Sequence, residues 1–368
     1  MKIKAAVTYE KGTPFEIKDV ELADPKETEV LIKIVGCGIC HNDLFMVDNA
    51  PMELPVALGH EGSGVVESVG SHVTSIKPGD HVVLCSYSCG KCEACLSGHP
   101  AQCIRCDEVD FGGVYADGTK RLKDENGVEI SSFFSQSSFA TYVIADERNT
   151  VVVDKDVDLA MLGPIGCGIQ TGAGSVLNVL KPSPGNAFVV FGCGAVGLSA
   201  IMAAKLCNCS PIIGIDVIED RLLLAKELGA THIINGKETE SISNEILALT
   251  KGMGADFSFE TTGVPLLINE ALYGLKRGGK CGIVASTGGA EIGIKMQDAL
   301  MGMSRSLIGI VQGDSIPWLF IPKLIELYKA GLFPYDKLIK YYDFEDINKA
   351  AEDAHSGAAI KPVLRMSE

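Results

Sequence analysis

Four cysteines fall in one short polar stretch, Cys89-Gly90-Lys91-Cys92-Glu93-Ala94-Cys95 followed by Cys103. Thiolates at about 2.3 Å satisfy the tetrahedral preference of zinc, and four protein sulfurs leave no position open, so this spacing predicts a structural metal site. Disulfides are the competing reading, but three cysteines at every third position are poorly placed to pair among themselves. A second group of possible ligands is more scattered. It comprises Cys40 in Gly36-Cys37-Gly38-Ile39-Cys40-His41-Asn42-Asp43, His60 and Glu61 after Gly59, and Cys167 in Gly163-Pro164-Ile165-Gly166-Cys167-Gly168. Two thiolates and one imidazole leave a zinc position open, the pattern of a catalytic site that can acidify a bound alcohol. Taken singly, Cys40 and Cys167 read as buried thiols and His60 as a hydrogen-bonded core histidine; their company gives them chemistry.

These side chains need a scaffold and a redox partner. The uncharged run from Ala187 to Ala204 opens with Phe188-Val189-Val190-Phe191, breaks at Gly192-Cys193-Gly194-Ala195-Val196-Gly197 and continues as a helix pattern, a buried strand-turn-helix and not a membrane span. The next strand, Ile212 to Ile215, ends in Asp216, where a dinucleotide site places the acid that accepts from the adenosine ribose. Glycines let the backbone approach a pyrophosphate at the helix N-terminus, and Asp216 repels a 2′-phosphate, so NAD is expected over NADP. Arg221, on the following helix that Gly229 stops, is counted with this cofactor-binding set. Further strands are expected at His232–Ile234, Asp256–Phe259, Lys280–Val284 and Ser306–Ile310. Six strands with crossovers make a doubly wound parallel Rossmann sheet. The expected organisation is a catalytic domain over 1–168 with a metal lobe at 85–106, the NAD-binding domain over 169–311, and a return to the catalytic domain over 312–368. A cleft between the domains would hold the chemistry.

Composition narrows the partners. With 46% hydrophobic and 21% charged residues over 368 positions, the chain can fill about two cores. A formal net charge of -15 argues against nucleic acid or an anionic membrane and for a small-molecule ligand. The 13 cysteines fit a reducing compartment, cytoplasm by default, and the start Met1 to Val7 reads as a strand and not as a signal peptide.

With these motifs in place the sequence resembles the zinc-dependent medium-chain alcohol dehydrogenases over essentially its whole length. The stretch Gly59 to Gly70, with Gly64, resembles the family's zinc signature. The segments 132–142 and 162–174 and the tail from Gly313 to Ile339 resemble the bacterial aryl-alcohol (benzyl alcohol) dehydrogenases. The resemblance implies a mostly β, GroES-like catalytic domain, catalytic zinc on Cys40, His60 and Cys167 with Glu61 as a transient ligand, and a second, structural zinc on the four-cysteine lobe. It implies further that Asp43 orients the imidazole, that His41 faces the NAD pyrophosphate where animal liver enzymes have arginine, and that Lys361 makes a second pyrophosphate contact. A histidine at that place can be neutral near pH 7. Phe133 and Phe134 match positions of the substrate channel, and the segment around Ser306 to Val311 matches a strand that pairs across a two-fold axis, giving a homodimer or homotetramer.

The departures matter. Where relatives carry a serine or threonine that passes the alcohol proton onward, this chain has Asn42, a very poor relay, and Phe45 stands where some relatives end the relay with histidine. The expected activity is hydride transfer between a primary aromatic or allylic alcohol and NAD, giving the aldehyde. A geraniol-type terpene alcohol or S-(hydroxymethyl)glutathione is the alternative substrate, and a low-turnover NAD-binding zinc sensor is the alternative of another class.

Overall fold

The computed structural model describes residues 1–366. The chain divides into two compact units. The first comprises Met1–Gly168, Ile316–Glu326 and the chain from Tyr335 on, and the second comprises Ile169–Ser315 and Leu327–Pro334. The tail is therefore divided between the units, because the helix Pro317–Lys329 begins with one core and ends with the other.

Two antiparallel-rich sheets build the first unit. One orders its strands as Val56–Ala57, Lys2–Thr8, Glu16–Leu22, Leu122–Lys123 and Glu129–Ile130. The other runs Thr150–Val153, His81–Leu84, Glu61–Val69, Glu29–Gly38, Lys361–Arg365 and Ile339–Asp343, with Tyr142–Asp146 also pairing Glu29–Gly38. Strand Glu29–Gly38 has neighbours along its whole length and buries Val30, Ile32, Ile34 and Cys37, so its end is a rigid point from which Ile39 and Cys40 leave. Its partner Glu61–Val69 starts directly after His60. The turn into that strand is tight: Gly59 has φ +90°, and a Cβ there would lie 2.4 Å from the Phe139 nitrogen. No other residue type meets both constraints without moving the backbone.

In the second unit six parallel strands lie in the order His232–Asn235, Ile212–Asp216, Phe188–Phe191, Ala255–Glu260, Leu275–Ile283 and Ser306–Gly309. This 3-2-1-4-5-6 order is the doubly wound dinucleotide fold. The fifth strand starts earlier than the apolar pattern predicts. Leu275 pairs with Ala255, and pairing resumes at Lys280 with Phe257, so an irregularity that includes polar residues lies within the strand. Among the described residues no helix is long and apolar enough to cross a membrane.

Replacing Gly59 by alanine adds both left-handed strain and a backbone clash, and is expected to lower stability by about 2–4 kcal/mol in a denaturant titration. An unchanged unfolding midpoint would show that the turn relaxes freely.

Candidate active site

Cys40 is the N-cap of the helix His41–Asn49, and the third residue of that helix, Asp43, reaches back to accept from the Cys40 N–H at 2.9 Å through Oδ2. The other oxygen, Oδ1, accepts from the Gly59 N–H at 3.1 Å and from His60 Nδ1–H at 2.7 Å. Asp43 is fully buried. One carboxylate thus fixes the backbone of a thiolate donor, the turn before the imidazole and the imidazole tautomer, leaving His60 Nε2 as the ligand atom. That Nε2 stands 3.3 Å from Cys167 Sγ, and Cys167 arrives from the short turn Gly163–Gly166.

Ligand atoms of Cys40, His60, Glu61 and Cys167 all lie within 4.8 Å of one another. Their acidities are interlocked. The hydrogen bond from Cys167 and then the charge of His60 hold the Cys40 thiol well below its ordinary value, while the same bond and burial push Cys167 well above it. Burial opposes protonation of His60, but Asp43 and then Cys40 outweigh it and raise the imidazole well above its usual range. Two thiols and an imidazole with such interlocked acidities can release protons to a divalent cation, and the sulfur, sulfur, nitrogen donor set suits zinc with a position open.

Glu61 is the exception within this group. Both of its oxygens accept from Lys361 Nζ at 2.9 Å, and Oε1 also accepts from the Gly168 N–H at 3.3 Å. Lys361 donates as well to the Ile39 carbonyl at 3.2 Å and is only 3% exposed. Burial alone would lower its pKa, but Glu61 outweighs that and holds the ammonium above the ordinary lysine value. Without the resemblance Lys361 reads as a solvated surface residue, and with it as a pyrophosphate contact. In the structure its three donors are taken by three acceptors of the zinc-site wall.

The rings of Phe133 and Phe134 sit against His60: Phe134 stacks on the imidazole at 4.6 Å with 24° between planes, and Phe133 meets it edge-on at 5.3 Å. Phe111 joins both, at 5.9 Å and 5.2 Å. Phe133 and Phe134 are buried and Phe111 is half-buried. Sequence reasoning missed Phe111, since nothing in its local pattern links it to residues so far along the chain. Asn42 is half-buried and His41 exposed on the first turn of the helix, and Phe45 packs against the core.

In the lobe, the sulfurs of Cys89, Cys92, Cys95 and Cys103 likewise lie within 4.8 Å of one another, and all are free thiols. Backbone N–H groups of Cys89 and Arg105 point at Cys103 Sγ at 3.2 Å and 3.5 Å. Those of Cys95 and Ile104 bring the Cys92 thiol down to about 6. Amides aimed at sulfur favour the thiolate, as at Cys92, while burial pushes the Cys95 and Cys103 thiols up, and the four clustered sulfurs fit a closed zinc site.

The second unit carries the glycine turn. Gly194 caps the helix Ala195–Leu206, and a Cβ there would meet nothing within 4 Å, an open cradle at a helix N-terminus. At Gly197 a Cβ would lie 1.8 Å from the Gly192 carbonyl oxygen, so only glycine lets helix and strand pack this closely. Asp216 accepts from the N–H groups of Cys193, Val217 and Ile218 at 2.7 to 3.0 Å, which fixes its carboxylate beside the turn. Arg221 Nε is buried with no hydrogen-bond partner. A glycine cradle, a held acid and an orphaned donor fit a dinucleotide.

Comparison with known proteins places this arrangement in a family. Residues 26–155 match the alcohol dehydrogenase GroES-like domain, and residues 195–329 match the zinc-binding dehydrogenase domain. Geraniol dehydrogenase of Castellaniella defragrans is 42% identical over 98% of this chain and 97% of its own. S-(hydroxymethyl)glutathione dehydrogenase of Paracoccus denitrificans is 36% identical over 99% of this chain and 100% of its own. The crystal structure of benzyl alcohol dehydrogenase from Acinetobacter calcoaceticus superposes with a TM-score of 0.95 at 43% identity, each chain covered in full. The chain belongs to the zinc-binding medium-chain alcohol dehydrogenases. It is a zinc-dependent alcohol dehydrogenase acting on small-molecule alcohols, with NAD and two zinc ions as its cofactors.

If the two clusters are separate metal sites, metal analysis should find two zinc ions per chain, and Cys103→Ala and Cys167→Ala should each lose one of them. Asp43→Asn should weaken retention of the Cys167-dependent zinc by about 10–100-fold against a chelator, with the lobe zinc unchanged. Equal loss from both sites would show that Asp43 acts on the fold alone.

Proposed function

We propose that the alcohol is a primary aromatic or allylic one, oxidised reversibly to its aldehyde. The observation that carries this reading is the aromatic wall beside the ligand set, Phe133 and Phe134 packed on the His60 imidazole with Phe111 against both rings. An aryl group that reaches this wall gains about 0.5–1.5 kcal/mol per ring pair beyond its burial, and an allylic chain gains from the apolar surface. The names carried by the benzyl alcohol and geraniol relatives agree with such substrates.

In this reading Cys40, His60 and Cys167 hold the catalytic zinc, and Gly192, Gly194, Gly197, Asp216 and Arg221 hold the dinucleotide. Zinc supplies a Lewis acid that acidifies the alcohol hydroxyl, and NAD supplies the hydride acceptor. Asp43 keeps the His60 donor aimed at the metal. Lys361 keeps Glu61 engaged at the wall, so that a position stays free for the alcohol oxygen. Asn42 can hydrogen-bond that oxygen but is a very poor proton relay, and Phe45 carries no proton, so the hydroxyl proton leaves through water.

The test is initial-rate NADH formation with benzyl alcohol, geraniol and S-(hydroxymethyl)glutathione. Benzyl alcohol or geraniol should exceed the glutathione adduct by about tenfold or more in kcat/KM, and the reverse order sinks the aromatic and allylic reading. Asn42→Thr restores a relay hydroxyl and should raise kcat by about tenfold where proton release limits turnover. No change would place the slow step elsewhere. Asp216→Ala should shift the NADP to NAD preference by about tenfold or more, since it removes both a ribose acceptor and a charge that repels the 2′-phosphate.

A further inference from the structure

Asp110 is a buried acid to which neither zinc site nor the dinucleotide turn assigns a role. It is 3% exposed and lies near the end of the helix Cys106–Phe111, which begins just beyond the lobe cysteine Cys103. Its Oδ1 accepts from the Tyr87 N–H at 3.1 Å, in the segment that runs into Cys89. Its backbone carbonyl accepts from the Phe134 N–H at 2.9 Å. One residue therefore joins the chain entering the four-cysteine lobe to the residue whose ring covers His60. Phe134 has φ +54°, a conformation that a bulky side chain adopts only when its surroundings impose it. Those surroundings are the Asp110 carbonyl on one side and Asn149 Nδ2, which donates to the Phe134 carbonyl at 3.1 Å, on the other. Burial pushes the Asp110 carboxyl well above the usual carboxylate range, against the pull of the Tyr87 amide and His60. Its side chain is held by the geometry of the Tyr87 hydrogen bond.

We infer that Asp110 is a positioning residue: by pinning the helix Cys106–Phe111 to Tyr87 it sets the Phe134 ring on His60 and the Phe111 edge beside it, and so tunes the site for bulky, ring-bearing alcohols. The substrate half of this inference rests on the aromatic reading above; the placement of the ring over His60 does not.

The experiment uses holoenzyme with its zinc content verified, as wild type, Asp110→Ala and Asp110→Asn, with Asp110→Val as a bulkier alternative where the alanine variant does not fold. For benzyl alcohol and for a short aliphatic alcohol, kcat and KM are measured separately. Loss of the buried hydrogen bond should raise KM for benzyl alcohol about tenfold while kcat and the KM for the short alcohol stay within about twofold. Asp110→Asn keeps an acceptor for the Tyr87 N–H and should restore the wild-type KM. Losses shared equally by both alcohols, or an asparagine variant as impaired as alanine, overturn the inference. A second readout is independent of substrate: with cobalt in the His60 site, the visible ligand-field bands should shift in Asp110→Ala and not in Asp110→Asn. A wild type inert toward benzyl alcohol whose bands still shift in the alanine variant would refute the aromatic reading and keep Asp110 as the positioning residue. Unshifted bands with an unchanged KM would refute Asp110.

Discussion

The Asp43 carboxylate ties together more of this site than any other group. Buried without access to water, it is tolerable only because three N–H donors meet its two oxygens, from Cys40, Gly59 and His60. Those three belong to the start of a helix and to the turn before a strand, which the sheet alone would not hold in register with each other. The same bonds that offset the burial of the acid place one thiolate and one imidazole where a single ion can meet both. Stability and ligand geometry are therefore one constraint here.

Charge is the second constraint. Asp43 and Glu61 share a small buried volume with Cys40; Asp43 is paired with the His60 imidazole, and the Lys361 ammonium is set against Glu61. A buried ion pair seldom adds much net stability, but breaking one leaves an uncompensated charge, which is costly. Lys361 is thus hard to remove, and while it holds both oxygens of Glu61 that carboxylate is not free to close the ligand shell. In the proposed reading, a free position on the catalytic zinc would depend on this partner as well as on Cys40, His60 and Cys167.

The aromatic wall shows how separate parts of the first unit cooperate. Phe133 and Phe134 come from a buried polar loop and pack on the His60 imidazole, and Phe111, from the helix that follows the four-cysteine lobe, packs against both rings. Left-handed backbone at Phe134, Ser135 and Ser137 makes that loop unfavourable on its own. It persists because its neighbours hold it, among them Asn149, Ser137 Oγ on the Phe133 N–H, and the Asp110 carbonyl. A lobe far in sequence from His60 thereby shapes the surface beside it.

The sequence alone determined what depends on residue type and short spacing. The four-cysteine lobe, the cysteine and histidine set around Gly59 and Gly166, and the glycine turn with its acid at the end of the next strand were legible because their chemistry is written within a few residues. So was the order of alternating strands and helices in the second unit, since buried parallel strands read as apolar runs. The irregularity within Leu275–Ile283 was not, because polar residues there break the apolar run. Only the tertiary structure decided where Lys361 points, that Phe111 joins Phe133 and Phe134, and that Asp110 lies between the lobe and the ring on His60. These side chains meet partners tens to hundreds of residues away, and such meetings are set by sheet register and packing, which no local pattern encodes.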